Sequence, residues 1–206
     1  MSDPRTRIVG EGYDAMADTW EAWSAQVVDP RARWRDDLVA RLADGARVVE
    51  LGCGNGTEET RVLAQRFRLT GVDLSREQLR RARERVPEAE FVQADFTAIE
   101  FDAGSVDAVV AFYSFNHVPR DLLPALFASI HRWLRPGGLL MTALGAHDLP
   151  DWTGDFLGAP NFFSGWPPET NRRLLRDAGF DLVRDEVVTI QEPEGPQQFH
   201  WVLARR

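Results

Sequence analysis

Five residues between positions 50 and 73 have the types and spacing to hold a nucleotide-like ligand. Glu50, Gly52, Gly54 and Gly56 alternate with other residues in Val48-Val49-Glu50-Leu51-Gly52-Cys53-Gly54-Asn55-Gly56, and Thr57-Glu58-Glu59-Thr60 then opens a helical pattern. Glycine is needed where backbone takes a positive φ or passes close to a ligand, because a Cβ would clash there. A helix that starts just beyond such a turn directs its free N–H groups at whatever binds. Asp73 closes the apolar stretch Arg68-Leu69-Thr70-Gly71-Val72 about twenty residues past the first glycine. A carboxylate at that spacing can accept both vicinal hydroxyls of a ribose. Of the four histidines, His117 and His147 follow strand-like runs, where a side chain that titrates near neutrality could act as a base. His131 falls within a helical pattern and His200 within the last strand.

The elements that must position these groups alternate between strand and helix. Apolar runs at 48–51, 69–73, 90–94, 106–112 and 139–144 are separated by helical patterns, which predicts a mostly parallel sheet with helices on both faces. The run Val106-Asp107-Ala108-Val109-Val110-Ala111-Phe112 has the continuous apolar character of a strand buried on both faces. Two further strands, 180–190 and 197–204, meet at a Pro/Gly-containing turn and supply a reversed strand. Residues 1–44 read as helical in two segments, about 13–26 and 30–42, interrupted at Asp29-Pro30. Between 145 and 168 periodicity disappears and glycine, proline and aromatics accumulate. Long irregular segments of this kind often serve as lids or binding loops. Trp152, Phe162, Phe163 and Trp166 there either anchor the loop or wall a pocket.

Composition narrows the partners. The 206 residues suit one domain, 1–206, with 1–44 as a helical cap and 145–168 as a substrate loop. The net charge of −8 argues against nucleic acid, and the Arg76–Arg85 cluster is interleaved with Glu77 and Glu84 on what reads as a solvated helix face. No run is long and apolar enough for a membrane span, and the N-terminus lacks a signal-like apolar core. The lone cysteine, Cys53, excludes an internal disulfide and suits a reducing cytoplasm. The expectation is a cytoplasmic monomer or homodimer that acts on a small molecule.

A dinucleotide fingerprint would place its third glycine where Thr57 stands. The pattern Glu50-x-Gly52-x-Gly54-x-Gly56, followed by Asp73, Asp95-Phe96 and Leu134-x-Pro136-Gly137-Gly138, instead resembles the class I S-adenosylmethionine (SAM)-dependent methyltransferases. The resemblance spans about Tyr13 to Arg205. It implies a seven-stranded sheet of order 3-2-1-4-5-7-6 with strand seven antiparallel. It also implies that Asp73 and Leu74 meet the ribose, Asp95 the adenine amino group and Phe96 the adenine ring. Tyr13, on a helix folded over the cofactor, and Phe112 and Asn116, after the fourth strand, complete the implied cofactor set. The implied reaction is methyl transfer from SAM, leaving S-adenosylhomocysteine, to an oxygen or nitrogen of a small molecule, with carbon third. No His/Cys/Asp cluster has metal-ligand spacing, so the reaction is expected to be metal-independent. His117, with His147 as the alternative, is the candidate base if the acceptor needs one. Two other readings stay open: a SAM-binding regulator without catalysis and an NAD-dependent oxidoreductase.

Overall fold

The computed structural model describes residues 3–206. Its centre is a seven-stranded sheet of β1 (Arg47–Leu51), β2 (Arg68–Asp73), β3 (Glu90–Gln93), β4 (Val106–Ala111), β5 (Leu134–Gly145), β8 (Asp181–Glu192) and β9 (Gly195–Arg205). The order is β3-β2-β1-β4-β5-β9-β8, with β9 antiparallel to both neighbours. This is the expected topology; β8 and β9 are the sixth and seventh strands once an inserted hairpin is set aside.

The inner strands are apolar throughout because helices cover both of their faces. One face packs Phe115, Phe127, Ile130 and Trp133 against Val109 and Leu140. The other packs Trp34, Leu38 and Leu63 against Val110, Met141 and Trp201. Trp34 and Trp201 are fully buried and stacked, with centroids 5.5 Å apart. Truncating either ring to alanine would cost about 3–5 kcal/mol. The helices are α4 (Glu58–Arg66), α5 (Arg76–Arg85), α6 (Leu123–Trp133) and α7 (Pro168–Asp177), preceded by an N-terminal group.

That group departs from the sequence reading. Three helices stand where two segments were expected: α1 (Pro4–Ala15), α2 (Ala17–Ser24) and α3 (Arg31–Val39). Asp3 caps α1 through the Arg5 N–H, and Pro4 fits the first turn, so the helix begins well before Tyr13. The chain then bends at Met16, whose backbone leaves the helical region. The α5 arginines also do more than face solvent: Arg81 pairs with Asp18 and Glu21, and Arg85 with Glu21, which holds α2 onto α5.

The second departure is at 145–168. The segment is a β-hairpin of β6 (Leu149–Phe156) and β7 (Ala159–Gly165) rather than an irregular loop. Phe156 pairs with Ala159, leaving Leu157 and Gly158 as a two-residue turn with φ of +54° and +85°. Two successive positive φ values suit the right-handed twist of the strands. Asparagine or aspartate commonly precedes the glycine in such turns, and leucine there conceals the signal.

Candidate active site

The loops after β1 and β4 leave the sheet at the point where strand order reverses, the place where open α/β sheets form a crevice. After β1, Gly52 takes φ +76°, and a Cβ on it would lie 2.3 Å from that of Ser114. The two loops can therefore approach only because Gly52 has no side chain. Ser114 Oγ then donates to the Leu51 carbonyl at 2.6 Å and ties them together. Thr57 caps α4 by accepting from the Thr60 N–H, while its own N–H is accepted by Thr60 Oγ1. Gly56, expected at the ligand, instead faces α5, where a Cβ would sit 3.0 Å from Ala82 Cα; it does not line the cavity.

A cavity of about 360 Å³ opens here, within the usual range for small-molecule sites. Glu50, Gly52, Gly54, Asp73, Leu74, Asp95, Phe96, Phe112, Asn116 and Tyr13 all line it. Asp73 accepts the Gly54 N–H at 2.9 Å and the Ser75 N–H at 2.9 Å, so it braces the glycine loop from below. Burial raises its pKa, and the N–H groups of Ser75 and Gly54 oppose that rise. Asp95 accepts from Thr6 Oγ1 at 2.7 Å and from the Thr97 N–H and hydroxyl at 2.9 and 2.6 Å, which ties α1 to the loop after β3. Phe96 is buried beside Phe115.

Glu50 is 3% exposed and its Oε2 has no hydrogen-bond partner. Burial pushes its carboxyl up to about 8, and the Thr60 hydroxyl works against that shift. Arg31, not singled out by sequence, is the one arginine lining the cavity among the described residues, and the chain has no lysine. Its Nε meets Asp29 at 2.7 Å, and its guanidinium lies 5.8 Å from the Tyr113 ring centre. Tyr113 also lines the cavity, with a left-handed backbone (φ +62°) at the end of β4 and its ring against Phe199 and Trp201. The only sequence signal for either residue was its place, beside Asp29-Pro30 or just past the fourth strand.

His117 has both ring nitrogens engaged. Nδ1 lies 2.8 Å from the Phe162 carbonyl and Nε2 lies 3.0 Å from Tyr13 Oη. A carbonyl can only accept, so Nδ1 carries the proton and Nε2 accepts from the tyrosine hydroxyl. Burial pushes the His117 pKa down to about 4, against the opposing pull of the Phe162 carbonyl. Tyr13 is pushed far up by burial, with the charges of Asp73 and Glu192 adding to it. His147 lies exposed at the rim.

Of the four aromatics expected at the substrate, only Phe163 lines the cavity. Trp152, paired across the hairpin with Phe163 and on the same face, lies against that ring 5.9 Å away, is 43% exposed and does not line the cavity. Phe162 is buried at 1%, presenting its carbonyl rather than its ring to His117. Trp166 lies under the Arg120 guanidinium, 3.9 Å away, against the α6 core. Phe162 is separated from Phe163 by alternation, since neighbouring side chains on a strand point to opposite faces, and Trp166 lies past the end of β7. The aromatic wall comes instead from Trp20, Trp23, Phe156 and Phe199. Trp20 and Trp23 stack 5.2 Å apart, and Phe156 meets Trp23 edge-on.

Among the described residues, no group of three His, Cys, Asp or Glu side chains stands ready for a metal, and no helix is long and apolar enough to cross a membrane. A methyltransferase domain model matches residues 48–138. The 27-O-demethylrifamycin SV methyltransferase of Amycolatopsis mediterranei is 30% identical across 93% of this chain and 72% of its own length. Trans-aconitate 2-methyltransferase of Paracidovorax citrulli is 44% identical over 120 residues, 54% of this chain, and the chain covers only 44% of that relative. Among solved structures, the 1,6-didemethyltoxoflavin-N1-methyltransferase of Burkholderia thailandensis superposes with a TM-score of 0.77 over all of this chain and 91% of its own, at 20% identity, a likeness of fold. The chain belongs to the class I SAM-dependent methyltransferases. S-adenosylmethionine is the cofactor of that class, and the oxidoreductase reading gives way to it.

Proposed function

We propose that the chain transfers the methyl group of SAM to an oxygen or nitrogen atom of a small-molecule acceptor, with carbon third, and without a metal. The observation that carries this reading is the presence of Glu50 and Arg31 in one cavity. An unpartnered buried carboxylate oxygen and the one arginine lining the cavity among the described residues suit the ammonium and carboxylate of an amino-acid end. Gly52 and Gly54 would carry the backbone past it, and Asp73 would receive the ribose hydroxyls while Leu74 packs beside them. Asp95 and Phe96 would take the adenine edge and face, with Phe112 and Asn116 completing the wall. When bound, SAM supplies a methyl group on a cationic sulfur, and transfer leaves the neutral thioether of S-adenosylhomocysteine.

The chain's own part is alignment and proton removal. Holding the acceptor in line with the carbon–sulfur bond can account for about 7–11 kcal/mol of barrier lowering. Because His117 Nε2 already accepts from Tyr13, the acceptor's proton passes to Tyr13 Oη as the tyrosine's own proton moves to Nε2. Nδ1 keeps its proton on the Phe162 carbonyl throughout. An imidazole held near 4 is a weak base, yet the acceptor's proton turns strongly acidic as its bond to carbon forms, so a weak base suffices late in the step. The β6–β7 hairpin and α1–α2 act as the cover that excludes water. Tyr13→Phe should lower kcat by about 10²–10⁴-fold with SAM affinity nearly unchanged. The assay is S-adenosylhomocysteine release against a pooled small-molecule library. Unaltered turnover in Tyr13→Phe would mean that alignment alone drives transfer.

A further inference from the structure

The charge of the cavity is one-sided. Five carboxylates line the whole cavity (Asp29, Glu50, Asp73, Asp95 and Glu192) against the single Arg31, among the described residues. Arg31 is already matched by Asp29 at 2.7 Å and faces Glu59 at 4.0 Å. Whatever charge it retains is directed at the donor's own carboxylate. Among the described residues no further cationic side chain lines the cavity to receive an anionic acceptor, and burying an unpaired carboxylate beside these acids would be unfavourable.

Glu192, at the tip of β8, is different from the other four. It is half-buried on the cavity wall and forms no ion pair or side-chain hydrogen bond among the described residues. Its neighbour Glu194 is occupied, accepting the Trp23 indole N–H at 2.9 Å. Burial, with the Glu194 charge adding to it, pushes the Glu192 carboxyl up to about 7, as befits an acid lacking a counter-charge. It lines the same cavity as Tyr13 and Tyr113. The stacked pair Trp20 and Trp23, with Phe156, lines the same cavity, and Trp23 is bonded to Glu194, two residues from Glu192. Ring faces next to an unpaired carboxylate make a receptor for a positively charged nitrogen.

We infer that the acceptor of this enzyme is an aromatic or apolar amine, anchored by its ammonium at Glu192, and not a carboxylic acid. The inference rests on the cavity being the shared site of donor and acceptor. A protonated nitrogen has no lone pair, so the anchored group is not the atom methylated; the nucleophile lies elsewhere on the scaffold. This separates the chain from relatives such as trans-aconitate 2-methyltransferase, whose name specifies an acidic acceptor.

A matched series of probes tests it: tryptamine, 3-ethylindole and indole-3-propanoate, which share one ring system and carry positive, no and negative charge. Binding of each to the full chain saturated with S-adenosylhomocysteine is measured by calorimetry at about pH 8, where an alkyl ammonium is still charged. Tryptamine should bind at least about tenfold more tightly than 3-ethylindole, as a charge-assisted contact implies. Indole-3-propanoate should bind most weakly. Glu192→Gln should erase the preference for tryptamine while 3-ethylindole binding stays the same. Equal or tighter binding of indole-3-propanoate, failure of all three probes at millimolar concentration, methyl transfer to trans-aconitate, or an unchanged preference in Glu192→Gln would each overturn the inference. S-adenosylhomocysteine binding is measured first. Its absence would remove the donor-site reading, whereas its presence with an inverted charge series would remove only the acceptor class.

Discussion

Glu50 should make donor binding release a proton. Its carboxyl sits near 8 in the ligand-free protein because burial penalises the charge and nothing compensates Oε2. At neutral pH about nine-tenths of the molecules therefore hold Glu50 protonated. The donor's ammonium is the missing counter-charge, so only the ionised form binds well, and apparent affinity scales with the ionised fraction. The weakening factor, one plus ten to the power of pKa minus pH, is about 100 at pH 6 and about 4 at pH 7.5. Affinity should thus rise about 25-fold across that interval, with ~0.9 proton released per SAM bound at pH 7. Measurements stop near 7.5 because a free α-amino group begins to lose its proton at about 7.7–8.0. Calorimetry in buffers of differing ionisation enthalpy reads the released proton directly. Glu50→Gln should bind more weakly and show neither the slope nor the release. Absence of proton release in the natural protein, or equal release from Glu50→Gln, would refute the reasoning. The same shift has a stability consequence: a carboxyl raised from 4.5 to about 8 favours the folded state below about 4.5, and that advantage is lost as pH rises through about 8.

Asp73→Ala should weaken SAM binding about tenfold to a hundredfold, the worth of one charge-assisted hydrogen bond. It should also lower the ligand-free Tm, since the Gly54 and Ser75 N–H groups lose their acceptor; unchanged affinity in a folded variant would exclude Asp73 from the site. His117 holds its proton near 4 when folded and near 6.5 when unfolded, so it contributes stability above about 6.5 that is lost as pH falls through about 4. That loss amounts to about 3 kcal/mol. His117→Asn should flatten this part of the stability–pH curve in denaturant titrations, and a curve identical to the natural protein's would show that His117 does not titrate as its burial requires. Leu157→Asn should stabilise by about 1 kcal/mol, because asparagine tolerates the left-handed backbone that leucine adopts at φ +54°. A lowered Tm would mean that the leucine side chain holds the hairpin turn by packing.

The sheet was readable because its inner strands are unbroken apolar runs and its turns carry glycine and proline. Glu50, Gly52 and Asp73 were readable for a related reason, in that their spacing repeats a local strand–turn–helix geometry. What escaped was set by contacts between distant segments. Arg31 reaches the cavity only because α3 packs below the loop after β4, and Tyr113 only because the backbone turns left-handed there. Trp20 and Trp23 stand at helical spacing in the first segment, and nothing in that spacing said that the β8–β9 tip would stand opposite. The hairpin was hidden by Leu157-Gly158, and with it the alternation that turns Phe162 away from the cavity. His117 was readable as a candidate by position, but its partners, Tyr13 and Phe162, lie 104 and 45 residues away.

The contacts that hold the cover combine apolar burial with polar links, whereas those at the centre of the sheet are apolar. The sheet rests on fully buried apolar side chains such as Leu51, Val110 and Met141. The N-terminal cover buries Val9, Met16, Ala17 and Trp23 and adds polar links: Asp14 accepts from Ser75 Oγ at 2.6 Å, Arg81 pairs with Asp18, and Trp23 donates to Glu194. A single bridge, Val28 to Gln191, joins it to the sheet edge. An exposed ion pair such as Arg81–Asp18 contributes about 0–1 kcal/mol. On the proposed reading the cover would lift while the sheet, the glycine loop and Asp73 keep their places. Closing it would set Tyr13 against His117 and return Trp20 and Trp23 to the cavity wall, so that one movement would assemble the proton route and the acceptor pocket.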